Sequence, residues 1–177
     1  MSTFRYQPND LPRLTHVGPE TVRDWRRRGF IPGCGAARLS SGEWVEDESD
    51  PRLTGQEKWR YSVGDVLRIA LAPMVAKLGP SLAVAFDISE SIGPFVLNHV
   101  NPARYGAPAA DERFVVGWPL EYGEEVSGKP AGMFQLVRLT DLNSMTNYVR
   151  VGGIILDLAG MADALPAALK AELRKSE

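Results

Sequence analysis

The chain has 177 residues, 44% of them hydrophobic and 24% charged, which excludes a wholly disordered protein and suits one globular domain or two small ones. Its formal charge of −2 is unevenly spread: residues 1–80 carry 12 Lys/Arg against 10 Asp/Glu, and residues 81–177 carry 8 against 12. The most apolar stretch, residues 69–86, is interrupted by Pro73, Lys77, Gly79 and Pro80, and the opening MSTFRYQPNDLP has no basic region leading into an apolar run, so neither a membrane span nor a secretory signal is expected and a cytoplasmic protein is the default.

Asn9 or Asp10 can cap a short helix carrying Leu11, Leu14 and Val17, with Pro12 tolerated in its first turn. Gly18-Pro19-Glu20 breaks and restarts the chain, and a second helix is predicted over residues 19–28, with Val22 and Trp25 sharing a face and arginines around much of the remainder. Gly29 is its expected C-cap, and Phe30-Ile31 can close the underside of the core before Pro32. Residues 32–60 lack a helical period. Turns at Gly33, Gly35 and Ser40-Ser41-Gly42 are expected between short strands at residues 37–39, 43–45 and 58–61.

From Ser62, a candidate cap, Val63, Val66, Leu67, Ala70, Leu71, Met74, Val75 and Leu78 recur at helical spacing, with Pro73 expected to kink or shorten the helix. Leu82, Ala85, Phe86, Ile88, Ile92, Phe95 and Val96 fit one or two further helices ending before Asn101-Pro102. Residues 99–112 then read as a linker or long loop. Strands are predicted over residues 113–118, 133–139 and 148–158, followed by an amphipathic helix through Met161, Ala164, Leu165, Ala168, Leu169 and Leu173 that could cover one face of the resulting sheet.

Basic charge concentrates in residues 13–38, where six arginines face Glu20 and Asp24; residues 39–57 reverse this, with six acidic residues against Arg52 alone. Two short helices, an extended loop and a third helix form the order of a winged helix-turn-helix. Its second helix can enter a DNA major groove about 12 Å wide while arginines at its exposed edge meet phosphates and base edges.

The stretch LPRLTHVGPETVRDWRRRGFIP, residues 11–32, resembles the DNA-binding start of MerR-type transcriptional regulators, and WRYSVGDV, residues 59–66, resembles the end of that family's wing and the start of its next helix. The resemblance covers roughly residues 10–90. It implies recognition-helix contacts from Thr21, Arg23, Trp25 and Arg27 and a wing contact from Arg60 with Trp59 beside it. Arg26 stands where the family commonly has an acidic residue, and is counted among the DNA-facing arginines; Arg13 and Arg28 are peripheral. Trp25 replaces a tyrosine usual in the family, and helical spacing offers it a core role with Val22 instead.

The chain departs from the family in three respects. The connection from Pro32 to Tyr61 is much longer than the usual wing, and its acidic centre must point away from DNA. No long heptad-bearing helix marks the usual dimerisation coiled coil, and the single Cys34 with the scattered His16 and His99 gives no metal or redox switch, so no metal or cofactor is expected.

The C-terminal aromatics Phe114, Trp118, Tyr122, Phe134 and Tyr148 read first as core. Catalytic signatures are missing: no P-loop or nucleophile elbow occurs, the Gly152-Gly153 pair lacks dinucleotide spacing, and Asp157 and Asp163 have no histidine beside them. The expectation is therefore a non-enzymatic α+β protein: a winged helix-turn-helix with an extended wing in residues 1–98, a linker at 99–112, and a small sheet with a terminal helix in 113–177 that serves an effector, oligomerisation or protein contact. The expected partner is double-stranded DNA, bound by a homodimer. Excisionase-like or small-terminase-like DNA binding is a second reading. A third is a protein-interaction adaptor engaging a partner through residues 39–57 or the C-terminal unit.

Overall fold

The computed structural model describes residues 4–47, 49–54, 58–108, 113–117 and 154–175. They form a mixed α+β protein that divides into two compact units: residues 1–71 with 165–177, and residues 72–164. The chain's last helix belongs to the first of these units, and the first boundary falls within the helix over Val63–Ala76.

In the first unit, α1 (Leu11–Thr15) buries Leu11, Leu14 and Thr15. Asp10 does not cap it through its side chain; a 3-10 turn over Pro8–Asp10 leads directly in, and the Asp10 carboxylate accepts the Gln7 amide at 2.7 Å. Thr15 ends the helix. Its hydroxyl donates to the Leu11 carbonyl at 2.8 Å and accepts the Val17 amide at 3.0 Å, so a buried polar group is fully used while the chain turns through His16 at φ 60°.

After the extended Gly18, α2 (Pro19–Arg27) begins with proline at its first position. It closes in a Schellman arrangement: Phe30 N–H donates to the Trp25 carbonyl at 2.9 Å and Gly29 N–H to Arg26 at 2.8 Å, with Gly29 at φ 68°. Three short strands follow, β1 (Ala36–Arg38), β2 (Trp44–Val45) and β3 (Trp59–Arg60), antiparallel in the order β2-β1-β3. They fall within one or two residues of the predicted segments. Tyr6 bridges to Tyr61 beyond β3, tying the N-terminal segment to the same structure.

The start of α3 (Val63–Ala76) is fixed by a reciprocal cap: the Ser62 amide and hydroxyl donate to Asp65 Oδ2 at 2.7 and 2.8 Å, and the Asp65 amide donates to Ser62 Oγ at 3.1 Å. Pro73 does not end this helix, which runs three residues further to Ala76. The last helix, α7 (Ala167–Arg174), packs on α1 through buried Leu169 and Leu173. Tyr6 donates to Glu172 at 3.0 Å, a second link between the two ends of the chain.

The second unit is built on α4 (Leu82–Val100), one continuous helix that accommodates Pro94 and buries Phe86, Ile88, Ile92 and Val96. Ser81 caps it, accepting the Val84 amide. A one-turn α5 (Pro102–Tyr105) occupies part of the expected linker. β4 (Phe114–Gly117) and β5 (Ile154–Asp157) pair antiparallel, Phe114 opposite Asp157, and Arg113 clasps Asp157 with two hydrogen bonds of 3.1 and 2.9 Å.

The predicted terminal helix is two helices. α6 (Leu158–Ala164) contacts β4, β5 and α4, and α7 begins after Leu165-Pro166 in the other unit. Proline's missing N–H and locked φ make that break. The predicted strand over residues 133–139, Trp118, Tyr122, Phe134, Tyr148 and the Gly152-Gly153 pair lie outside the described residues.

Candidate nucleic-acid interface

α2 has one anchored side and one exposed edge. Val22 is 1% exposed and holds the helix to the core. Trp25 is half-buried, between the core role that spacing offered and the exposed role that the family resemblance implied. Thr21, Arg23, Arg27 and Arg28 are exposed, as is Arg13 at the end of α1.

The exposed guanidinium groups are paired along their own helix. Arg23 Nη1 meets Glu20 at 2.8 Å, Arg27 Nη2 meets Asp24 Oδ1 at 2.7 Å, and Arg28 Nε meets Asp24 Oδ2 at 2.9 Å. The hydrogen bond from Arg27, reinforced by the Arg28 charge, holds the Asp24 carboxyl below the usual carboxylate range. The arginine side chains nonetheless keep 73%, 78% and 60% of their surface in solvent. Such solvent-exposed pairs are weak, so a phosphate can displace the carboxylate at little cost.

Arg26 faces the other way. Its guanidinium lies 3.6 Å from the centroid of the Trp59 ring and donates to the Cys34 carbonyl at 2.6 Å and to the Tyr61 hydroxyl at 3.4 Å. Burial pushes the Tyr61 phenol above its ordinary value, against the opposing pull of Arg26. Arg26 was expected among the DNA-facing arginines; it instead clamps α2 to β3 and to the turn before β1, a use that needs a planar cation able to stack and donate at once. Trp59, expected as a peripheral DNA contact, has Arg26 over its ring. Cys34 is fully buried, so its thiol is packed inside the core.

That turn depends on Gly35. Its φ is 83°, and a Cβ placed there would stand 2.8 Å from the Arg60 carbonyl oxygen and 2.9 Å from the Tyr61 ring, closer than any side chain tolerates.

Strand alternation then separates neighbours in sequence. Ala37 pairs with both Val45 and Trp59, whereas Ala36 pairs with Arg60 and Arg38 with Trp44. Trp59 and Arg26 therefore occupy one face of the sheet, and Arg60, Arg38 and Trp44 the opposite one. Arg60 accordingly does not join the α2 arginines. It lines an open groove of about 740 Å³ together with Phe4, Arg5, Arg38, Trp44 and Lys58.

The sequence reading did not single out Arg38, Trp44 or Lys58 as a group. The available signal was parity: once residues 37–39, 43–45 and 58–61 are read as strands, side-chain alternation assigns partners to faces, but only when the pairing register is known. The acidic loop is partly self-neutralised. Arg52 meets Glu43 and Asp50, each at 2.7 Å, and its hydrogen bonds bring the Asp50 carboxyl down to about 2.

Among the described residues no group of His, Cys, Asp and Glu is placed to hold a metal ion, and no helix is long and apolar enough to cross a membrane. No protein-family model matches the chain, and comparison with curated proteins gives no match.

Proposed function

We propose that the protein is a MerR-like, winged helix-turn-helix transcriptional regulator that binds double-stranded DNA sequence-specifically through α2. The observation that carries this reading is the two-sidedness of that helix. Val22 and Arg26 fix it to the module, while Arg23, Arg27 and Arg28 stand largely in solvent at its C-terminal half. In this arrangement Arg23 and Arg27 meet base edges or the groove rim, Thr21 approaches the backbone near the helix start, and Arg28 and Arg13 add phosphate attraction at the flanks. Two copies bound about one helical turn apart supply two half-sites.

The test is selection of a duplex from a randomised pool, followed by affinity measurements across salt concentrations. Replacing a base-contacting arginine costs about 1–3 kcal/mol and relaxes sequence preference, whereas replacing a phosphate-contacting one weakens all duplexes and flattens the salt dependence. A folded Arg23→Ala/Arg27→Ala protein with unchanged duplex affinity and specificity rejects the reading. Genomic positions of the bound sites separate promoter control from excisionase-like recombination or terminase-like packaging.

A further inference from the structure

The groove on the outer face of the β2-β1-β3 sheet combines two kinds of side chain. Arg5, Arg38, Lys58 and Arg60 bring four cations to one concavity, and no carboxylate lines it among the described residues. Arg38, Lys58 and Arg60 have no acidic partner among those residues; Arg5 has a long contact of 3.8 Å to Glu172. Glu43, next to Trp44 in sequence, is held by Arg52.

Beside the cations is an aromatic floor. Trp44 is 38% exposed, its ring centroid 5.4 Å from that of Phe4 at an interplanar angle of 36°, and the Arg38 guanidinium stands 5.8 Å from it. Trp44 thus packs on Phe4 and still leaves part of its ring open to the groove. A half-exposed ring beside cations that have no carboxylate partner among the described residues is matched by a ligand with both a planar ring and negative charge.

We propose that this groove binds a nucleoside phosphate, with the base stacked on Trp44 and the phosphate held by Lys58, Arg60 and Arg5. A volume of about 740 Å³ suits one or two nucleotides. Base stacking on an aromatic ring with cations tracking the phosphates is the general physics of single-strand binding, and it needs no particular sequence. The site is separate from the duplex-reading edge: strand parity puts Arg60 and Trp44 on the face opposite Trp59 and the Arg26 clamp.

Anisotropy of a fluorescein-labelled oligothymidylate of about ten residues, measured on the full chain, tests this. Binding is expected to weaken by at least tenfold between about 50 and 200 mM salt, and by about tenfold again in Trp44→Ala. Lys58→Ala is expected to weaken it and to lower the salt slope by about 0.7. Duplex affinity stays within about twofold in both variants, and Arg23→Ala/Arg27→Ala leaves oligothymidylate binding within the same limit, so failure of this site and failure of the α2 reading are distinguishable.

Competition with ATP separates the two sources of the ligand: displacement at a concentration within about tenfold of unlabelled oligothymidylate assigns the groove to free nucleotides, and weaker displacement assigns it to a strand. Three results overturn the proposal: no binding of the oligothymidylate, equal affinity in wild type and in a folded Trp44→Ala/Lys58→Ala protein, or displacement by polyglutamate as effective as by oligothymidylate.

Discussion

The exposed edge of α2 and the outer face of the sheet are both basic, yet their charges are arranged differently. On α2, Arg23, Arg27 and Arg28 each find a carboxylate three or four residues earlier, so the edge carries solvated ion pairs. On the sheet, Arg38 of β1 meets Arg60 of β3 and Lys58 just before it, without a carboxylate among the described residues lining the groove. Neighbouring charges on a helix are set by sequence spacing, and Glu20 and Asp24 fall where they must meet arginines. Charges on a sheet face are set by register, which brings residues 20 positions apart together, while Glu43 and Asp50 in the loop between them pair with Arg52. A count of charge along the chain therefore understates the sheet and overstates the helix.

The most severe way to break this comparison is to remove the footing that both faces share. Gly35→Ala forces a side chain into the left-handed region and into the Arg60 carbonyl and Tyr61 ring. The expected loss is about 3–5 kcal/mol of stability, read as a fall in denaturation midpoint, with both proposed binding activities lost together.

A smaller change cuts the link between the faces. Arg26→Ala removes the stack on Trp59 and the hydrogen bond to the Cys34 carbonyl. Urea unfolding is expected to show a loss of about 2 kcal/mol, with Arg26→Lys restoring less than half because lysine has no planar fork. If Arg26 instead served the duplex, its loss would lower affinity without moving the unfolding midpoint.

The mildest test sharpens the distinction. Glu20→Gln/Asp24→Asn frees the α2 guanidinium groups and is expected to raise duplex affinity about two- to fivefold at low salt, leaving oligothymidylate binding unchanged. Because the Asp24 pKa is depressed in the folded protein, its pair stabilises the fold above the unfolded value of 3.8 and loses that contribution as pH falls through the lower folded value. The stability difference between wild type and Asp24→Asn should hence stay flat from neutral pH to about 4 and shrink below it, as thermal unfolding across pH will show.

Local features were legible because their causes are local. Pro19, Gly29, Ser62, and the turn residues that bound the short strands at residues 37–39 and 43–45 each act through neighbouring backbone, and the helices and strands stand close to where those residues place them. The same holds for Val22, whose burial follows from helical period alone. Pro73 does not end its helix as one of its two expected effects would have it: packing outweighs one missing hydrogen bond, and the helix continues to Ala76. Arg26 could not be placed from sequence, since an arginine on a basic helix looks like its neighbours until a partner 33 residues away supplies the ring it covers.

The order of elements, the caps, the amphipathic face of α2 and the pairing of its arginines were thus decided by the amino-acid sequence itself, through interactions that reach no further than one helical turn. The tertiary structure alone decided that α7 belongs with α1, that Arg26 is a clamp, and that Arg38, Lys58 and Arg60 share a groove with Trp44. Those outcomes rest on strand register and long-range packing, in which one residue of slip would turn each side chain to the other face.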